Sequence, residues 1–312
     1  MVQELEAAPA ATLTQAAVTV LPRGCFADDQ LVVFVDYRGR RNLMRLKQGT
    51  TLHLNHGHLH CDDIIGKPPG TVLLTSKGKQ LIVLRPTLEE YIVLMPRAAQ
   101  IISTKDIPFI LQWADIFPGA TVVEAGIGSG ALSLGLLRAL GSTGRLIAFE
   151  QRVEFANRAE KNIRAFDPGY AERLTLHVAD VHEGLKALNG VDRIVLDLAD
   201  PWNALDGAVA ALNADGIMLA YLPGIRQVDQ LAREMARRDE LTPAEVMEVW
   251  QRPWVIDRVR CRPSHKILAH SGFLVRSRRR ANRWPGELAE TPAEATSEVV
   301  VPASEPPHGE PS

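Results

Sequence analysis

The segment from residue 121 to 150 constrains this chain more than any other. A short apolar run leads into a turn that contains Gly126, Gly128 and Gly130. Glycines at this spacing let backbone amides approach a ligand closely at the start of a helix. Glu150 stands where the next apolar strand should end, positioned to accept hydrogen bonds from ribose hydroxyls. The segment therefore predicts the front half of a site for a nucleoside-containing cofactor.

The glycine turn by itself fits two classes of cofactor. Gly126-x-Gly128-x-x-Ala131 satisfies the relaxed dinucleotide fingerprint, which would indicate NAD. With Glu124 ahead of the first glycine, it also fits the Glu-x-Gly-x-Gly-x-Gly turn of S-adenosylmethionine (SAM) methyltransferases. Further along, an apolar run is followed by the segment 197–202, DLADPW. An acid, then proline and an aromatic residue, is the substrate clamp of nucleobase amino-methyltransferases, so this segment favours SAM.

Strand-like and helix-like patterns alternate from residue 121 onward, which predicts a parallel sheet with helices on both faces. The last two apolar runs, 246–255 and 267–276, have no helix between them, so we expect a terminal β-hairpin. We therefore predict a Rossmann-like α/β methyltransferase fold with a seven-stranded sheet, its last strand antiparallel. The other predicted strands are 121–125, 145–150, 174–179, 192–197 and 216–222, and the predicted helices are 107–116, 130–140, 152–165, 203–212 and 225–237.

Composition divides the chain into four parts. Residues 25–95 contain short β-like runs separated by polar turns and followed by a helix at 88–95, which predicts a small N-terminal β-domain. Residues 96–280 form the expected methyltransferase domain. Residues 1–24, rich in alanine and threonine, and residues 281–312, rich in proline, glutamate and alanine, are expected to be disordered.

The apolar pattern and the cysteines indicate the cellular compartment. No apolar run approaches the roughly 18 residues of a membrane helix, so we expect no membrane partner. The N-terminus carries acids and no basic segment, unlike a signal peptide. Cys25, Cys61 and Cys261 are scattered and odd in number, which favours a reducing compartment. We expect a cytoplasmic protein.

Charge is distributed unevenly along the chain. The formal net charge is −2, yet residues 284–312 contain six glutamates and no lysine or arginine, and the remainder carries +4. Basic residues concentrate just ahead of this acidic tail. Such a basic face suits a partner with phosphate groups, although most runs of this kind are only solvated surface. The basic positions are Arg258, Arg260, Arg262, Lys266, Arg276, Arg278, Arg279 and Arg280.

A histidine cluster within residues 53–61 suggests a metal site at first sight. Its four histidines and one cysteine follow no zinc spacing, and no second cluster of ligands lies in the same domain. Asn55 and Gly57 indicate a turn, so the imidazoles line a strand and its loop. We predict no metal.

With these motifs in view, the chain resembles the bacterial and archaeal-type tRNA (adenine-N1)-methyltransferases, and within them an actinobacterial-like member. These SAM-dependent enzymes modify a T-loop adenosine, adenine 58, in tRNA. The resemblance covers about residues 28–280, and no single motif carries it alone. Its strongest stretches are RPTLEEY at 85–91, EAGIGSGAL at 124–132, DLADPW at 197–202, YLP at 221–223 with Gln227, Arg262-Pro263 with His265, and HSGFL at 270–274.

The family resemblance implies a role for each site residue. It places SAM against the glycine turn, Glu150 on its ribose, Asp180 at its adenine end, and Asp197 between cofactor and substrate. It also implies a homotetramer whose β-domains help to hold tRNA. The implied cofactor-binding set is Glu124, Gly126, Gly128, Ser129, Gly130, Ala131, Leu132, Glu150, Asp180 and Asp197, and the implied substrate set is Ser103, Trp202, Arg258, Arg260, Arg262, His265, Lys266 and His270.

Three residues need separate interpretation. Asp197 is the expected catalytic residue: as an ionised carboxylate it would accept a hydrogen bond from the N6 amino group of adenine, and this role requires no unusual pKa. Asp200 is the expected N-cap of the helix near Asn203. Related sequences have Tyr-Pro-Lys-Asp where this chain has Ser103-Thr-Lys-Asp, so Ser103 replaces a tyrosine of the adenine pocket.

Two alternatives remain open at the level of sequence. The first is a SAM methyltransferase for a protein or small molecule, which predicts no salt-dependent affinity for tRNA. The second is an RNA-binding subunit of the same fold with weakened chemistry, which Ser103 suggests. The intact glycine turn, Glu150 and Asp197 argue against the second alternative.

Overall fold

The computed structural model describes residues 24–55, 57–265 and 267–282. The two segments expected to be disordered, 1–24 and 281–312, lie almost wholly outside the described residues. His56 of the histidine cluster and Lys266 of the basic run also lie outside them.

The N-terminal region is built from antiparallel strands, as predicted. A four-stranded sheet has the order β2-β1-β6-β5, and β3 pairs with β4 in a separate hairpin. Asp36 closes the β1–β2 turn because its Oδ1 accepts hydrogen bonds from the amides of Arg38 and Arg40. The hairpin β3–β4 carries His53, His58 and His60. The strands are Leu31–Asp36 (β1), Arg41–Arg45 (β2), Thr51–Leu54 (β3), Gly57–His60 (β4), Val72–Leu74 (β5) and Gln80–Leu84 (β6).

The main sheet confirms the predicted topology. Its order is β12-β15-β11-β10-β7-β8-β9. Strands β7 to β11 are mutually parallel, whereas β15 runs antiparallel to both of its neighbours. The seven strands are Thr121–Ala125 (β7), Arg145–Glu150 (β8), Leu174–Val178 (β9), Val191–Leu196 (β10), Leu212–Leu222 (β11), Glu245–Glu248 (β12) and Phe273–Arg278 (β15).

Helices cover both faces of this sheet. Buried side chains of α1 to α4 pack on one face and those of α6 to α8 on the other, which gives two hydrophobic cores. Two short helices, α5 and α6, were not predicted, and both have fewer than two full turns. The helices are Leu88–Leu94 (α1), Ile107–Trp113 (α2), Ala131–Ala139 (α3), Val153–Phe166 (α4), Pro168–Ala171 (α5), Val181–Lys186 (α6), Leu205–Ala211 (α7) and Ile225–Ala236 (α8).

The predicted ending needs a correction. The apolar run 246–255 is not one strand, because Pro253 separates β12 from a second strand, Trp254–Ile256 (β13). Strand β13 pairs with Cys261–Pro263 (β14) in a two-stranded hairpin outside the main sheet. Strand β12 pairs instead with β15 across this insertion. The hairpin β13–β14 therefore projects from the edge of the sheet where the parallel strands end.

The N-terminal strands pack directly on the main domain. Leu31 and Leu43 contact the first core of the main sheet. Tyr91 of α1 is 2% exposed, and its hydroxyl donates to the carbonyl of Asn162 in α4 at 2.8 Å. Helix α1 thus ties the two regions together. Among the described helices, none combines the length and the apolar character that crossing a membrane requires.

Candidate active site

Glycine residues shape the turn that follows β7. Gly126, Gly128 and Gly130 have φ angles of 84°, 55° and 84°, in the left-handed region that favours glycine. A Cβ on Gly126 would lie 2.2 Å from the backbone oxygen of Asp197, so no other residue fits there. Gly130 is the N-cap of α3. The turn therefore brings the start of a helix against the end of β10.

Glu150 lies at the end of β8, as predicted, and contacts the glycine turn. Its side chain is 6% exposed. Oε2 accepts a hydrogen bond from the amide of Gly128 at 3.2 Å, and Oε1 accepts one from the amide of Arg152 at 3.1 Å. These contacts fix the carboxylate beside the turn, where a ribose would have to bind.

Glu124 is a buried carboxyl group one strand away. It is 1% exposed, and Ser133 Oγ donates to its Oε2 at 2.6 Å. Burial, together with the charge of Asp197, raises the pKa of Glu124 to about 8, although the hydrogen bond from Ser133 opposes this shift. Glu124 is therefore largely protonated at neutral pH and acts as a neutral group under the turn.

Asp197 follows β10 and lines the same narrow cleft as Glu124 and the glycine turn. Its amide donates to the carbonyl of Ala125 at 2.9 Å, which continues the pairing of β10 with β7. Burial, and then the charge of Glu150, raises the pKa of Asp197 to about 6. The proposed role requires only that Asp197 be ionised. A pKa of about 6 still leaves most of the group ionised at pH 7.

The remaining turn residues are brought together as expected. Ala131 and Leu132 are buried at the start of α3 and line the cleft. Ser129 is 1% exposed, and its hydroxyl accepts hydrogen bonds from the amides of Ala98 at 3.0 Å and Ala99 at 3.2 Å. Its hydroxyl therefore holds the linker after α1 across the glycine turn.

Asp180 lies beside this cleft and does not line it. It is the N-cap of α6, with Oδ1 accepting from the amide of His182 at 2.8 Å. Gln151 Nε2 donates to Asp180 Oδ2 at 3.1 Å. Because Gln151 follows Glu150 directly, this hydrogen bond connects Asp180 to the end of β8.

Ser103 and Trp202 are not brought into the cleft. Ser103 is half-buried, and its carbonyl accepts from the amide of Asp106 at 2.9 Å in the turn before α2. The cleft is lined instead by the preceding residues, Gln100 to Ile102. Trp202 is half-buried and packs against the second core.

The expected cap at Asp200 also needs a correction. Asp200 occupies the N-cap position of a short 3-10 helix, Pro201–Ala204, which precedes α7. Its side chain makes no capping hydrogen bond to the backbone. Oδ2 accepts instead from the side-chain amide of Asn203 at 2.7 Å.

Among the predicted basic residues, Arg258, Arg260 and Arg262 lie on the hairpin β13–β14, outside the cleft. Arg276 and Arg278 lie instead on β15, where they pair with Glu245 and Asp215, and Arg279 and Arg280 follow that strand. Arg258 is exposed and makes no ion pair with the described residues. Arg260 pairs with Asp257 at 2.6 Å, and Arg262 is half-buried with Nη1 donating to the carbonyl of Pro263. His265 is exposed. These residues form a separate surface, which also carries exposed apolar side chains: Trp254, Ile256 and Val259.

His270 lies between this hairpin and β15. Its Nδ1 is 2.7 Å from Glu248 Oε1, and its Nε2 is 2.9 Å from the carbonyl oxygen of Pro223. Both partners are acceptors, which suits a doubly protonated ring. The hydrogen bond with Glu248 raises the pKa of His270 above its ordinary value. The ring thus connects the ends of β11 and β12.

A buried ion pair beside the cleft was missed at the sequence level. The side chains of Lys105 and Asp106 are 3% and 1% exposed, and Nζ lies 2.7 Å from Oδ1. Lys105 Nζ also donates to the carbonyl of Val249 at 2.6 Å, and Ser271 Oγ donates to Asp106 Oδ2 at 2.5 Å. The only sequence signal was the pair of adjacent charges after Ser103.

Tyr221 extends this network toward Asp197. Burial raises the pKa of Tyr221 to about 12; a hydrogen bond with Ser271 lowers it, while the charges of Asp106 and Asp197 raise it. The phenol is therefore close enough to feel the charges of both Asp106 and Asp197.

Asn162 of α4 is a second residue that sequence reasoning missed. It is 3% exposed, and its Nδ2 donates to the carbonyls of Pro96 and Ser129, each at 2.9 Å. It therefore clamps the linker after α1 to the glycine turn. An asparagine inside an amphipathic helix gave no signal that its side chain is buried.

The arrangement suits a ligand with a ribose and a polar tail. The backbone of the glycine turn approaches Asp197 closely, and Asp197 in the cleft and Glu150 beside the turn provide hydrogen-bond acceptors. Within the described residues, no group of three or more histidine, cysteine, aspartate or glutamate side chains is arranged to hold a metal ion.

Comparison with known families agrees with this geometry. A model of the family described as "tRNA methyltransferase complex GCD14 subunit" matches residues 79–283. A second model, described as "TrmI-like N-terminal", matches residues 24–73. Together these matches cover both the N-terminal strands and the main sheet.

Two curated relatives match most of the chain. The tRNA (adenine(58)-N(1))-methyltransferase TrmI of Thermus thermophilus is 36% identical over 244 residues, 78% of this chain and 94% of that protein. The tRNA (adenine(57)-N(1)/adenine(58)-N(1))-methyltransferase TrmI of Methanocaldococcus jannaschii is 33% identical over 273 residues, 79% of this chain and 94% of that protein.

Two solved structures share the fold. A SAM-dependent O-methyltransferase from Thermotoga maritima has a TM-score of 0.79 and 31% identity, covering 84% of this chain and 97% of that one. The tRNA (m1A58) methyltransferase TrmI from Aquifex aeolicus has a TM-score of 0.71 and 28% identity, covering 82% and 98%. The predicted Rossmann-like methyltransferase fold is confirmed, and the chain belongs to the GCD14/TrmI family of tRNA methyltransferases.

Proposed function

We propose that this protein is a SAM-dependent tRNA (adenine(58)-N1)-methyltransferase, which transfers a methyl group to N1 of a T-loop adenosine. One observation supports this proposal more strongly than the others do. Asp197, a carboxylate mostly ionised at pH 7, lines the same cleft as the glycine turn, at the carboxyl edge of the sheet. That edge is where open α/β sheets bind their ligands.

Different residues around the turn would bind different parts of the cofactor. Bound SAM supplies an electrophilic methyl group on its sulfonium centre. Glu150 would accept hydrogen bonds from the ribose hydroxyls. Asp180, which Gln151 links to the end of β8, would hold the adenine end. The protonated Glu124 supports the turn from beneath without adding a second negative charge beside Asp197.

Asp197 is the residue to which we assign catalysis. Adenine N1 is a weak nucleophile and becomes cationic on methylation. The Asp197 carboxylate accepts a hydrogen bond from the N6 amino group, which orients the base and stabilises the developing charge. The buried position of Asp197 strengthens this interaction relative to water. Tyr221 and the buried ion pair behind it hold the wall of the site in place.

The basic hairpin is the proposed contact for RNA near the target base. A T-loop adenosine is stacked in folded tRNA, so it must be extruded while the backbone is held. Arg258, Arg262 and His265 lie on the hairpin that projects from the carboxyl edge of the sheet. Lys266 belongs to the same proposed set but lies outside the described residues.

We also propose a homotetramer that works in the cytoplasm. The hairpin exposes 58% of Trp254, 74% of Ile256 and 92% of Val259, and a contact between copies would remove these surfaces from water. All three cysteines are free, which suits a reducing compartment. Native mass spectrometry measures the number of subunits directly.

The decisive experiment combines labelled SAM, an unmodified tRNA transcript and nucleoside mass spectrometry. We expect 1-methyladenosine from the wild type, and none when the T-loop adenosine is replaced by guanosine. Asp197→Asn should lower the rate by about 10²-fold or more, as for loss of one preorganised electrostatic group. Asp200→Asn is the matched control, because among the described residues only the side chain of Asn203 donates a hydrogen bond to this nearby carboxylate. It should keep nearly full activity.

The same experiment separates the alternatives. The Thermotoga maritima relative is described as an O-methyltransferase, and methylation of a ribose oxygen would yield a different nucleoside from 1-methyladenosine. A product with the label on ribose would reject the adenine-N1 assignment and retain the fold. No incorporation into tRNA, with SAM still bound in calorimetry, would favour a protein or small-molecule substrate.

A further inference from the structure

A cavity of about 780 Å³ lies between the N-terminal strands and helices α3 to α5, and none of its lining residues belongs to the glycine turn. It is lined by the start of β1, the end of α3, the end of α4 and the α4–α5 junction. These segments all lie at the amino edge of the main sheet, opposite the candidate active site. Its basic lining residues, which we call the amino-edge groove cations, are Arg45, Arg85, Arg138, Lys161 and Arg164.

The acidic residues of this groove are engaged within the protein. Asp29 pairs with Arg45 at 3.3 Å. Asp28 Oδ1 accepts from the amide of Gln48 at 2.7 Å, and Asp167 Oδ1 accepts from the amide of Gly169 at 2.9 Å as the N-cap of α5. Asp28 and Asp167 keep their negative charges, so the five cations and three carboxylates of the lining leave a net charge of +2.

Several of the cations are left without a carboxylate partner. Arg138 and Lys161 are exposed and make no ion pair with the described residues. Arg85 donates only to the backbone carbonyls of Gly24 and Cys25. Arg164 pairs with Glu160, but the two side chains are 60% and 50% exposed, so solvent screens that pair. The groove therefore presents a positive surface.

Aromatic rings form part of the groove wall. Phe166 and Tyr170 are half-buried, with their centroids 5.9 Å apart. The Arg138 guanidinium lies 5.6 Å from the Phe166 ring centroid, and Arg138 Nε lies 3.4 Å from the Tyr170 hydroxyl. These contacts hold Arg138 at the rim of the groove. Fixed arginines around a concave surface suit phosphate groups.

The distance between the groove and the carboxyl edge of the sheet favours a long ligand. A six-residue strand such as β8 separates the two edges of the sheet by about 20 Å, at roughly 3.3 Å per residue. A nucleoside cofactor bound at the glycine turn cannot reach across this distance. A folded RNA is long enough to contact both edges, on one copy of the chain or on two adjacent copies.

We propose that the amino-edge groove binds the phosphate backbone of tRNA at a distance from the methylated adenosine. The proposal rests on the proposed function, because it names a second contact for the same substrate. It explains why cations collect where the N-terminal strands meet the main domain, on the edge of the sheet that has no part in the chemistry. Binding there holds the body of the tRNA while the T-loop enters the site.

The test uses the triple variant Arg138→Gln/Lys161→Gln/Arg164→Gln in the full-length protein. All three side chains are exposed, so folding should be unaffected. Two RNAs are compared: full-length tRNA, and a hairpin of about five base pairs that carries the T-loop and spans only ~17 Å at 3.4 Å per base pair. The control is Lys186→Gln/Arg233→Gln/Arg237→Gln, which removes the same charge from exposed residues of α6 and of the end of α8.

We expect the groove variant to bind full-length tRNA at least tenfold more weakly. Its slope of log affinity against log salt should fall by up to about three, near 0.9 for each lost phosphate contact. Its affinity for the short hairpin and for SAM should match the control. Equal loss in the two triple variants, or no loss in either, would overturn the proposal.

A further experiment tests whether a small anion binds in the groove. If inorganic phosphate binds the wild type but not the groove variant, while tRNA affinity is unchanged, the groove is a site for a small anion and the proposal fails. Failure of the proposed function has a different signature: no methyl transfer to either RNA by the wild type. The binding slopes would still decide the role of the groove in that case.

Discussion

The buried side of the active site and the hairpin β13–β14 are both rich in charge, yet the charges are held in opposite ways. Lys105 and Asp106 are 3% and 1% exposed, and each has fixed partners from other elements. Arg258, by contrast, is exposed, on a hairpin where Val259 is 92% exposed. This difference means that the stability of a buried charge depends on the few groups that contact it, whereas exposed charges act together through solvent. Substitutions should therefore have large effects in the first region and small, salt-dependent effects in the second.

The largest effect is expected for Lys105→Met. Removing the ammonium group leaves Asp106 buried without its counter-charge, which typically costs about 3–5 kcal/mol of stability. Urea unfolding measures this loss as a change in the free energy of unfolding. The double variant Lys105→Met/Asp106→Leu removes both charges and should recover most of the loss. If Lys105→Met costs less than about 1 kcal/mol, water reaches the pair and the contrast with the hairpin disappears.

The next effect concerns the rate of methyl transfer below neutral pH. The pKa of Asp197 is raised to about 6, and the proposed mechanism uses the ionised form. The value of kcat/KM for SAM, which reports groups of the free enzyme, should therefore fall about tenfold per pH unit below pH 6. Asp197→Asn should be slow and lack this dependence. A wild-type profile that stays flat down to pH 5 would contradict the assignment of Asp197.

The sequence was a good guide wherever local pattern determines position. The left-handed glycine turn, the location of Glu150 and the location of Asp197 all follow from strands of a parallel sheet ending at one edge. The antiparallel last strand was also predicted from a local pattern, because no helix pattern separates the last two apolar runs.

What the sequence could not provide depends on contacts between distant residues. The Asp106–Ser271 hydrogen bond joins residues 165 positions apart. The raised pKa of Asp197 comes from burial and from Glu150 on another strand, which no local pattern encodes. Asp200 has the sequence of a cap, but its carboxylate accepts a hydrogen bond from the side chain of Asn203 and caps no backbone amide.

A third, smaller effect is the pH dependence of stability caused by Glu124. Its pKa is about 8 in the folded protein and near 4.5 when exposed, so between these values the folded state keeps a proton that the unfolded chain has released. This contribution is complete below pH 4.5 and is lost as pH rises through 8, by at most ~1.4 kcal/mol per pH unit. Urea unfolding of wild type and Glu124→Gln from pH 5 to 8 should show the wild type losing stability relative to the variant. Parallel curves would mean that water reaches the carboxyl group.

The smallest effects are expected on the hairpin, for Arg258→Gln/Arg262→Gln. Exposed substitutions of this kind usually change stability by less than about 0.5 kcal/mol, and neither arginine contacts the cofactor cleft. If the hairpin holds RNA, the slope of log affinity for tRNA against log salt should fall by up to about two, while SAM affinity stays constant. Arg233→Gln/Arg237→Gln, on exposed residues at the end of α8, is the control for net charge. An unchanged slope would leave the hairpin arginines as solvated surface. A change in subunit number would assign them to contacts between copies.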